Sequence, residues 1–198
     1  MLSANSLALK EWAVVAHALG AGKQLVLLRK GGLHERRGHF ATEPREFFLF
    51  PTYVHQMAQG VVSGAAADLR AVTESRPAED QLVISYYAVV EELVWLDTCE
   101  RLTALADLHC WTAETVGQRF AYRGTAGLHL FVLRVYRLPR PHTLPLLKRY
   151  GGCRSWVDLA ELLGTAGATP VVSDAAFAER VRQVRDRLSM PSFLASAV

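Results

Sequence analysis

The apolar residues of this chain fall in runs about as long as a β-strand, and residues 128–138 form the clearest of these runs. The run reads Leu-His-Leu-Phe-Val-Leu-Arg-Val-Tyr-Arg-Leu and is rich in the residue types that favour strands. Pro139 and Pro141 follow it, and proline is poorly tolerated inside a sheet. We therefore predict a strand that ends at Pro139 and lies near the centre of a sheet.

Two arginines interrupt this apolar strand. Arg134 and Arg137 fall on opposite faces, because side chains alternate along a strand. At least one of them must lie against a core or a cleft, where a guanidinium needs an anionic or hydrogen-bonding partner. That partner is either an internal carboxylate such as Glu91 or Glu92, or the anion of a ligand.

The remaining patterns divide the chain into further strands and helices. Strands are predicted at residues 24–29, 46–50 and 81–96, the last long or bulged, with a helix from about Val89 as its alternative. Helices are predicted at residues 6–19, 54–72 (whole or broken), 99–107, 113–120 and 173–188, the last three with Thr98, Thr112 and Ser173 as N-caps. The pattern predicts an α+β fold with a mixed or mainly antiparallel sheet flanked by helices, plus a C-terminal helix. We expect one domain at residues 1–163, a linker at 164–172, and a C-terminal helix and tail at 173–198.

Composition narrows the class of protein. The chain of 198 residues is 51% hydrophobic and 21% charged, as in ordinary folded proteins. No apolar stretch approaches the roughly 18 residues of a membrane span, and the N-terminus lacks the pattern of a secretory signal. We expect a cytoplasmic protein without a membrane partner. The net charge of +3 permits a nucleic-acid partner without requiring one.

Polar side chains follow two of the predicted strands at the points where these strands end. The residues are Arg29 and Lys30 after the first strand, and Thr52, Tyr53, His55 and Gln56 after the second. Buried strands that end on such side chains often contribute to binding sites. If a helix begins at Pro51 or Thr52, its free N–H groups add donors for an anion; the alternative is a capping loop in which Thr52 caps the helix and Tyr53 packs. The pattern predicts a polar, arginine-containing cleft.

Two strings approach known motifs but fail on spacing. His34 and His39 are five residues apart, whereas two zinc ligands on one helix face are four apart. Gly20-Ala-Gly-Lys23 lacks the earlier glycine and the following Ser or Thr of a phosphate loop. We predict no metal site, and the sequence identifies neither a cofactor nor a catalytic residue.

A series of short strings resembles a known family in its order along the chain. The strings are Leu9-Lys-Glu-Trp-Ala13, Leu27-Leu-Arg-Lys-Gly-Gly32 with Glu35, Phe48-Leu-Phe-Pro-Thr-Tyr53 with His55-Gln56, His109-Cys-Trp-Thr112, Arg119-Phe120, Leu133-Arg-Val-Tyr-Arg-Leu138 and Gly152-Cys-Arg-Ser-Trp-Val157. Over about residues 7–160 they resemble a bacterial family known as domain of unknown function 1802. The resemblance implies no established activity, but an association with restriction-endonuclease-type domains suggests work near nucleic acid. Its strings add Glu35, Trp111 and Arg119 to the predicted ligand-binding residues, beside Arg134 and Arg137.

The first 25 or so residues carry a second, more distant resemblance. A predicted helix with Trp12, then Gly20-Ala-Gly-Lys23, then a strand that ends in Leu28-Arg29 is similar to the start of ASCH and related PUA-like domains. Those domains are small β-barrels that bind RNA or modified nucleotides. The resemblance implies that the sheet takes the form of a PUA-like barrel.

Three classes of function remain open from the sequence. We favour a non-catalytic module that binds a nucleotide or nucleic acid through the predicted cleft. The first alternative is a metal-dependent nuclease or other phosphodiester hydrolase linked to restriction or defence, which would use Glu35, His39, Glu43, His55 and His109. The second is a protein-interaction scaffold, a homo-oligomer or a partner of another protein, that makes its contacts through the C-terminal helix.

Overall fold

The described residues form a mostly antiparallel sheet of seven strands, which is the framework of the fold. The computed structural model describes residues 1–30, 45–54, 56–124, 126–152 and 154–189. The strands are β1 (Ala4–Trp12), β2 (Val26–Arg29), β3 (Glu46–Thr52), β4 (Gln81–Leu96), β5 (Leu128–Pro145), β6 (Trp156–Gly164) and β7 (Thr169–Pro170). Their order is β2-β5-β4-β3-β1-β6, with β7 paired to β5, and β1 and β3 run parallel. Within the described residues no pairing joins β2 to β6, so the sheet is open, and the predicted α+β class is confirmed.

In the described part of the chain, five α-helices connect and cover the strands. They are α1 (Ala13–Gly20), α2 (Ala66–Glu74), α3 (Cys99–Thr103), α4 (Ala113–Ala121) and α5 (Asp174–Arg187). The side chains of Thr98, Thr112 and Ser173 accept hydrogen bonds from backbone N–H groups at the starts of α3, α4 and α5, so all three predicted N-caps are confirmed. None of the helices in the described part of the chain is long and apolar enough to cross a membrane.

Strand β4 is the long, bulged strand that the sequence predicted. It pairs with β5 along nearly its whole length, and its register shifts between Ile84 and Tyr86 and again between Val90 and Glu92. Its middle also pairs with β3. The shifts let 16 residues stay in one sheet although their polar and apolar residues do not alternate strictly.

The first predicted helix is wrong in its N-terminal half. Residues 6–12 belong to β1, and only Ala13–Gly20 is helical. The apolar spacing matched a helix, but Leu7, Ala8 and Leu9 are all buried because β1 lies between β3 and β6 in the sheet. A strand covered on both faces has no alternation to distinguish it from a helix.

The prolines do not end β5, which continues to Pro145. Pro139 and Pro141 fall in the stretch where the β4–β5 register shifts, between the pairs Tyr86–Arg137 and Ile84–His142. An irregular ladder leaves positions without a required N–H donor, and proline is tolerated there.

Two apolar clusters cover the two faces of the sheet. Phe47 and Leu49 belong to the larger cluster, whereas Phe48 and Phe50 belong to the smaller, as the alternation along β3 requires. The larger cluster also contains buried residues of α1 and α5. The helices therefore cover one face of the sheet.

The C-terminal helix is part of this core. Val181, Val184 and Leu188 are buried in the larger cluster. Asp174 forms an ion pair with Arg134, and Arg185 forms one with Glu92. Within the segment predicted as a linker, residues 169–170 form β7 and pair with β5.

Candidate functional site

A large cleft opens beside the ends of several strands. Its volume is about 1320 Å³. Its walls come from the ends of β1, β2 and β3 and the residues that follow β2 and β3, together with the start of β4, helix α4 and the loop between β5 and β6. Pockets for small molecules usually measure roughly 300–1000 Å³. The cleft therefore has room for an extended ligand.

The cleft concentrates positive charge. Among the described lining residues, seven are Lys or Arg and two are Glu. The basic residues are Lys10, Arg29, Lys30, Arg76, Arg119, Lys148 and Arg154. This excess of five positive charges is larger than the net charge of +3 of the whole chain. Such a concentration of one sign of charge attracts an anionic ligand.

A buried carboxylate holds two of these arginines in place. Arg29 Nη1 donates to Glu11 Oε2 at 2.6 Å and to the Lys10 carbonyl at 3.0 Å. Arg119 Nη2 lies 3.6 Å from Glu11 Oε1, and its Nη1 donates to the Leu28 carbonyl at 3.2 Å. The Glu11 side chain is only 3% exposed, against 13% for Arg29 and 22% for Arg119. One buried negative charge thus faces two cations, and a positive excess remains at the wall of the cleft.

Arg119 is further fixed by aromatic rings. Its guanidinium carbon lies 4.7 Å from the ring centre of Trp111 and 5.1 Å from that of Trp12. Both distances are within the range of cation–π attraction. Burial lowers the pKa of the Arg29 guanidinium, and the neighbouring Glu11 opposes this shift. A guanidinium stays protonated in proteins, so Arg29 keeps its charge.

Three other predicted residues line the same cleft. Lys30 Nζ donates to the carbonyls of Phe120 at 2.6 Å and Gly127 at 3.1 Å, which ties the end of β2 to α4 and β5. Thr52 Oγ1 donates to the Glu11 carbonyl at 3.1 Å. Arg76 lies 5.3 Å from the ring centre of Tyr53, and burial raises the pKa of that phenol, so Tyr53 is a neutral donor at physiological pH.

The cleft gathers five of the eleven residues that the sequence singled out. They are Arg29, Lys30, Thr52, Tyr53 and Arg119. Trp111 is 1% exposed and lies beneath Arg119, so it supports the cleft from the core. Gln56 accepts a hydrogen bond from Val14 N at the start of α1, at 3.2 Å. Glu35 and His55 lie outside the described residues.

Arg134 and Arg137 do not join Arg29 in the cleft. His129, which lines it, pairs with Arg29 across the sheet, and Arg134 lies five residues farther along β5. At about 3.3 Å per residue this separation is roughly 16 Å. Arg134 is paired with Asp174 and lies 4.6 Å from the Phe177 ring centre, and Arg137 donates to the Gly20 carbonyl at 3.0 Å. The internal partner of Arg134 is Asp174, not Glu91 or Glu92.

Several residues that line the cleft were not predicted from the sequence. Glu11 was not predicted as a site residue, because the residues around it were assigned to a helix. In the strand that they form, a carboxylate that follows apolar residues indicates a buried ion pair. Arg76, Lys148 and Arg154 lie in connections between strands and helices, and nothing in their local sequence distinguishes them from other surface residues. Only the tertiary structure brings these loops to one cleft.

His109, a candidate of the nuclease alternative, is not among the lining residues. It is 7% exposed and packs against Trp111, with ring centres 5.4 Å apart. The other four residues of that alternative, Glu35, His39, Glu43 and His55, lie outside the described residues. Within the described part of the chain, no three His, Cys, Asp or Glu side chains are grouped so that they could hold a metal ion.

His109 should make stability depend on pH. Burial lowers its pKa from 6.5 to about 4, so between these values the unfolded chain binds a proton that the folded protein does not. The free energy of unfolding should therefore fall as pH drops from about 6.5 to 4, by roughly 3 kcal/mol in total. Urea unfolding at a series of pH values should show this slope reduced in His109→Gln and retained in His17→Gln, whose imidazole is partly exposed. Equal slopes in wild type and His109→Gln would contradict this assignment.

Comparisons with known proteins give a family and a set of similar structures. The crystal structure of ASCH from Zymomonas mobilis has a TM-score of 0.42 and 15% identity, covering 89% of this chain and 93% of that chain. A serine-to-alanine mutant of that protein scores 0.40 at 15% identity, with 89% and 94% covered. A tyrosine-to-phenylalanine mutant scores 0.39 at 16% identity, with 89% and 96% covered. No curated protein matched.

The family match extends over nearly the whole described structure, from β1 to α5. It spans residues 8–183 and therefore includes every wall of the cleft and most of the C-terminal helix. It is longer than the segment of about 7–160 on which the sequence resemblance was recognised. The chain belongs to the family described as domain of unknown function (DUF1802).

Proposed function

We propose that this protein is a non-catalytic module that binds single-stranded nucleic acid in the basic cleft. The observation that carries the proposal is the concentration of seven Lys and Arg residues, against two Glu, among the described residues that line one cleft. Phosphate groups spaced along a strand are the anions that best match several cations spread over such a surface. A compact anion would use only two or three of them.

Exposed aromatic side chains in the cleft favour a single strand over a duplex. Trp95 is 39% exposed and Tyr122 is 57% exposed, and both line the cleft. Unpaired bases stack on such rings, whereas the bases of a duplex are already stacked on each other. Trp95 is held edge-on to His129 with ring centres 4.7 Å apart. A Cβ on Gly127 would lie 2.1 Å from the Trp95 ring, so this glycine lets the indole occupy its place.

The proposal is tested by reversing charge at three exposed positions of the cleft. Arg76, Lys148 and Arg154 all line it and are solvent-exposed, so their replacement by Glu should leave the fold intact. Fluorescence polarisation with a labelled 12-nucleotide RNA, its DNA counterpart and a DNA duplex at 50 mM salt measures binding. We expect wild type to prefer the single strands. The triple variant should bind at least about 30-fold more weakly, and the slope of log K against log salt should fall by about 2.

A matched variant separates the cleft from general surface charge. Arg70, Arg140 and Arg182 are exposed and absent from the lining, so their triple replacement by Glu changes the net charge equally. This control should keep most of the wild-type affinity for the single strands. Equal losses in the two triple variants, or no binding by wild type at 50 mM salt, would overturn the proposal.

A further inference from the structure

A smaller pocket lies directly beside the cleft. Its volume is about 400 Å³, and it shares Trp12, Lys30, Arg119 and Tyr122 with the cleft. This volume is sufficient for one purine base. Because the two spaces have these four residues in common, the pocket is adjacent to a strand bound in the cleft.

The walls of this side pocket are fixed to each other. One wall is the 3-10 turn Ala58–Gly60, and the other is helix α4. Thr112 N and Thr115 Oγ1 each donate to the Gly60 carbonyl at 3.1 Å, and Thr112 Oγ1 donates to the Gln59 carbonyl at 3.3 Å. A Cβ on Gly60 would lie 2.7 Å from the Trp12 ring, so the turn packs directly on that indole. The pocket is thus formed before any ligand binds.

The polar groups of the pocket differ from those of the cleft. Glu114, Gln118 and Gln59 line it together with Met57 and Thr115. Gln118 Nε2 donates to Glu114 Oε1 at 3.2 Å, which orients the carboxylate. A carboxylate repels phosphate but accepts hydrogen bonds from N–H groups at the edge of a base. The side pocket therefore offers a carboxylate to the N–H groups of a base, beside the two cations that it shares with the cleft.

We propose, on the basis of the proposed nucleic-acid binding, that the side pocket accepts one unpaired guanine from the bound strand. Guanine presents two adjacent donors, N1–H and the N2 amino group, to which both oxygens of a carboxylate can be matched. Adenine and cytosine offer one exocyclic amino group, and the N3–H of uracil lies between two carbonyl oxygens that a carboxylate repels. Trp12 and Tyr122 supply aromatic surface for the base, and Lys30 and Arg119 place positive charge where the flanking phosphates enter.

Binding of nine-nucleotide RNAs with a single variable position tests this inference. Each oligonucleotide is oligouridine with guanine, inosine, adenine, cytosine or uracil at its centre. Wild type should bind the guanine oligonucleotide about five- to tenfold more tightly than the all-uracil one, and inosine, which lacks the N2 amino group, should lose most of that gain. Glu114→Gln should weaken binding of the guanine oligonucleotide more than that of oligouridine, and so reduce the guanine preference to less than about twofold.

Glu79 provides the matched control. Glu79 lines the cleft but not the side pocket, and unlike Glu11 it is exposed. Glu79→Gln therefore makes the same change in charge as Glu114→Gln, at a position outside the side pocket. This variant should bind all five oligonucleotides slightly more tightly and keep the guanine preference. If oligouridine binds but the central base makes no difference, the side-pocket inference is overturned and the cleft proposal stands. If neither the guanine nor the uracil oligonucleotide binds, the cleft proposal itself fails.

Discussion

Replacing Val184 by aspartate should lower the free energy of unfolding by about 5 kcal/mol. Val184 is 1% exposed and lies on α5 in the larger core cluster. The substitution removes about 2 kcal/mol of apolar burial and places a carboxyl group among the apolar side chains of the core. A total loss of about 5 kcal/mol is comparable with the whole stability of many domains. Circular dichroism during thermal and urea unfolding measures the effect.

The neighbouring residue gives the control for this experiment. Gln183 is exposed on the same helix, so Gln183→Asp introduces the same side chain one position away without disturbing the core. Its unfolding curve should stay close to that of wild type. A folded Val184→Asp protein with wild-type stability would mean that α5 is a dispensable appendage, as a detachable interaction helix would be.

Replacing Glu11 by alanine should destabilise the protein by about 3–5 kcal/mol, the usual effect of removing one partner of a buried ion pair. Arg29 and Arg119 would then be left close together with their shared carboxylate gone. The backbone N–H of Trp12 would also lose its acceptor, Glu11 Oε1, which lies 2.9 Å away. Urea unfolding measures this loss, and Glu79→Ala, on the exposed rim of the cleft, is the control that should change stability little.

The more conservative Glu11→Gln variant separates stability from binding. It keeps the shape of the side chain but removes its negative charge, so the positive potential of the cleft should rise. We expect lower stability than wild type together with tighter binding of single-stranded RNA at low salt, by about threefold or more. Weaker binding by a variant that is still folded would contradict the view that Glu11 holds the two arginines without itself contacting the ligand.

Local sequence patterns were sufficient to predict those elements whose residue types favour the conformation that they adopt in the fold. β2 and the start of β3 are apolar runs of strand length, and Thr98, Thr112 and Ser173 are good N-cap residues followed by helix-compatible segments. β4 was recognised as a bulged strand because its β-branched and aromatic residues outweighed its imperfect alternation. In each case the favoured conformation and the final fold agree.

The errors arose where a distant segment decides the conformation. Residues 6–12 became a strand because β3 and β6 pair with them on both sides, and β5 continued past its prolines because β4 shifts register there. None of these three partner strands can be identified from the local sequence. Propensity is a weak preference that such pairing readily overrides.

The candidate site shows the same division between what the local sequence predicts and what the tertiary structure decides. Sequence alone determined that Arg29, Lys30, Thr52 and Tyr53 follow buried strands, and that a buried Arg134 needs an anionic partner. The tertiary structure decided that the first four meet in one cleft with Arg119, and that the partner of Arg134 is Asp174 of the C-terminal helix. It also brought Arg76, Lys148 and Arg154 to that cleft from loops far apart in the chain. The physical reason is that a charged residue within an apolar strand must be paired when it is buried, which the local sequence is enough to show. Which residue pairs with it depends on which segments the sheet places side by side.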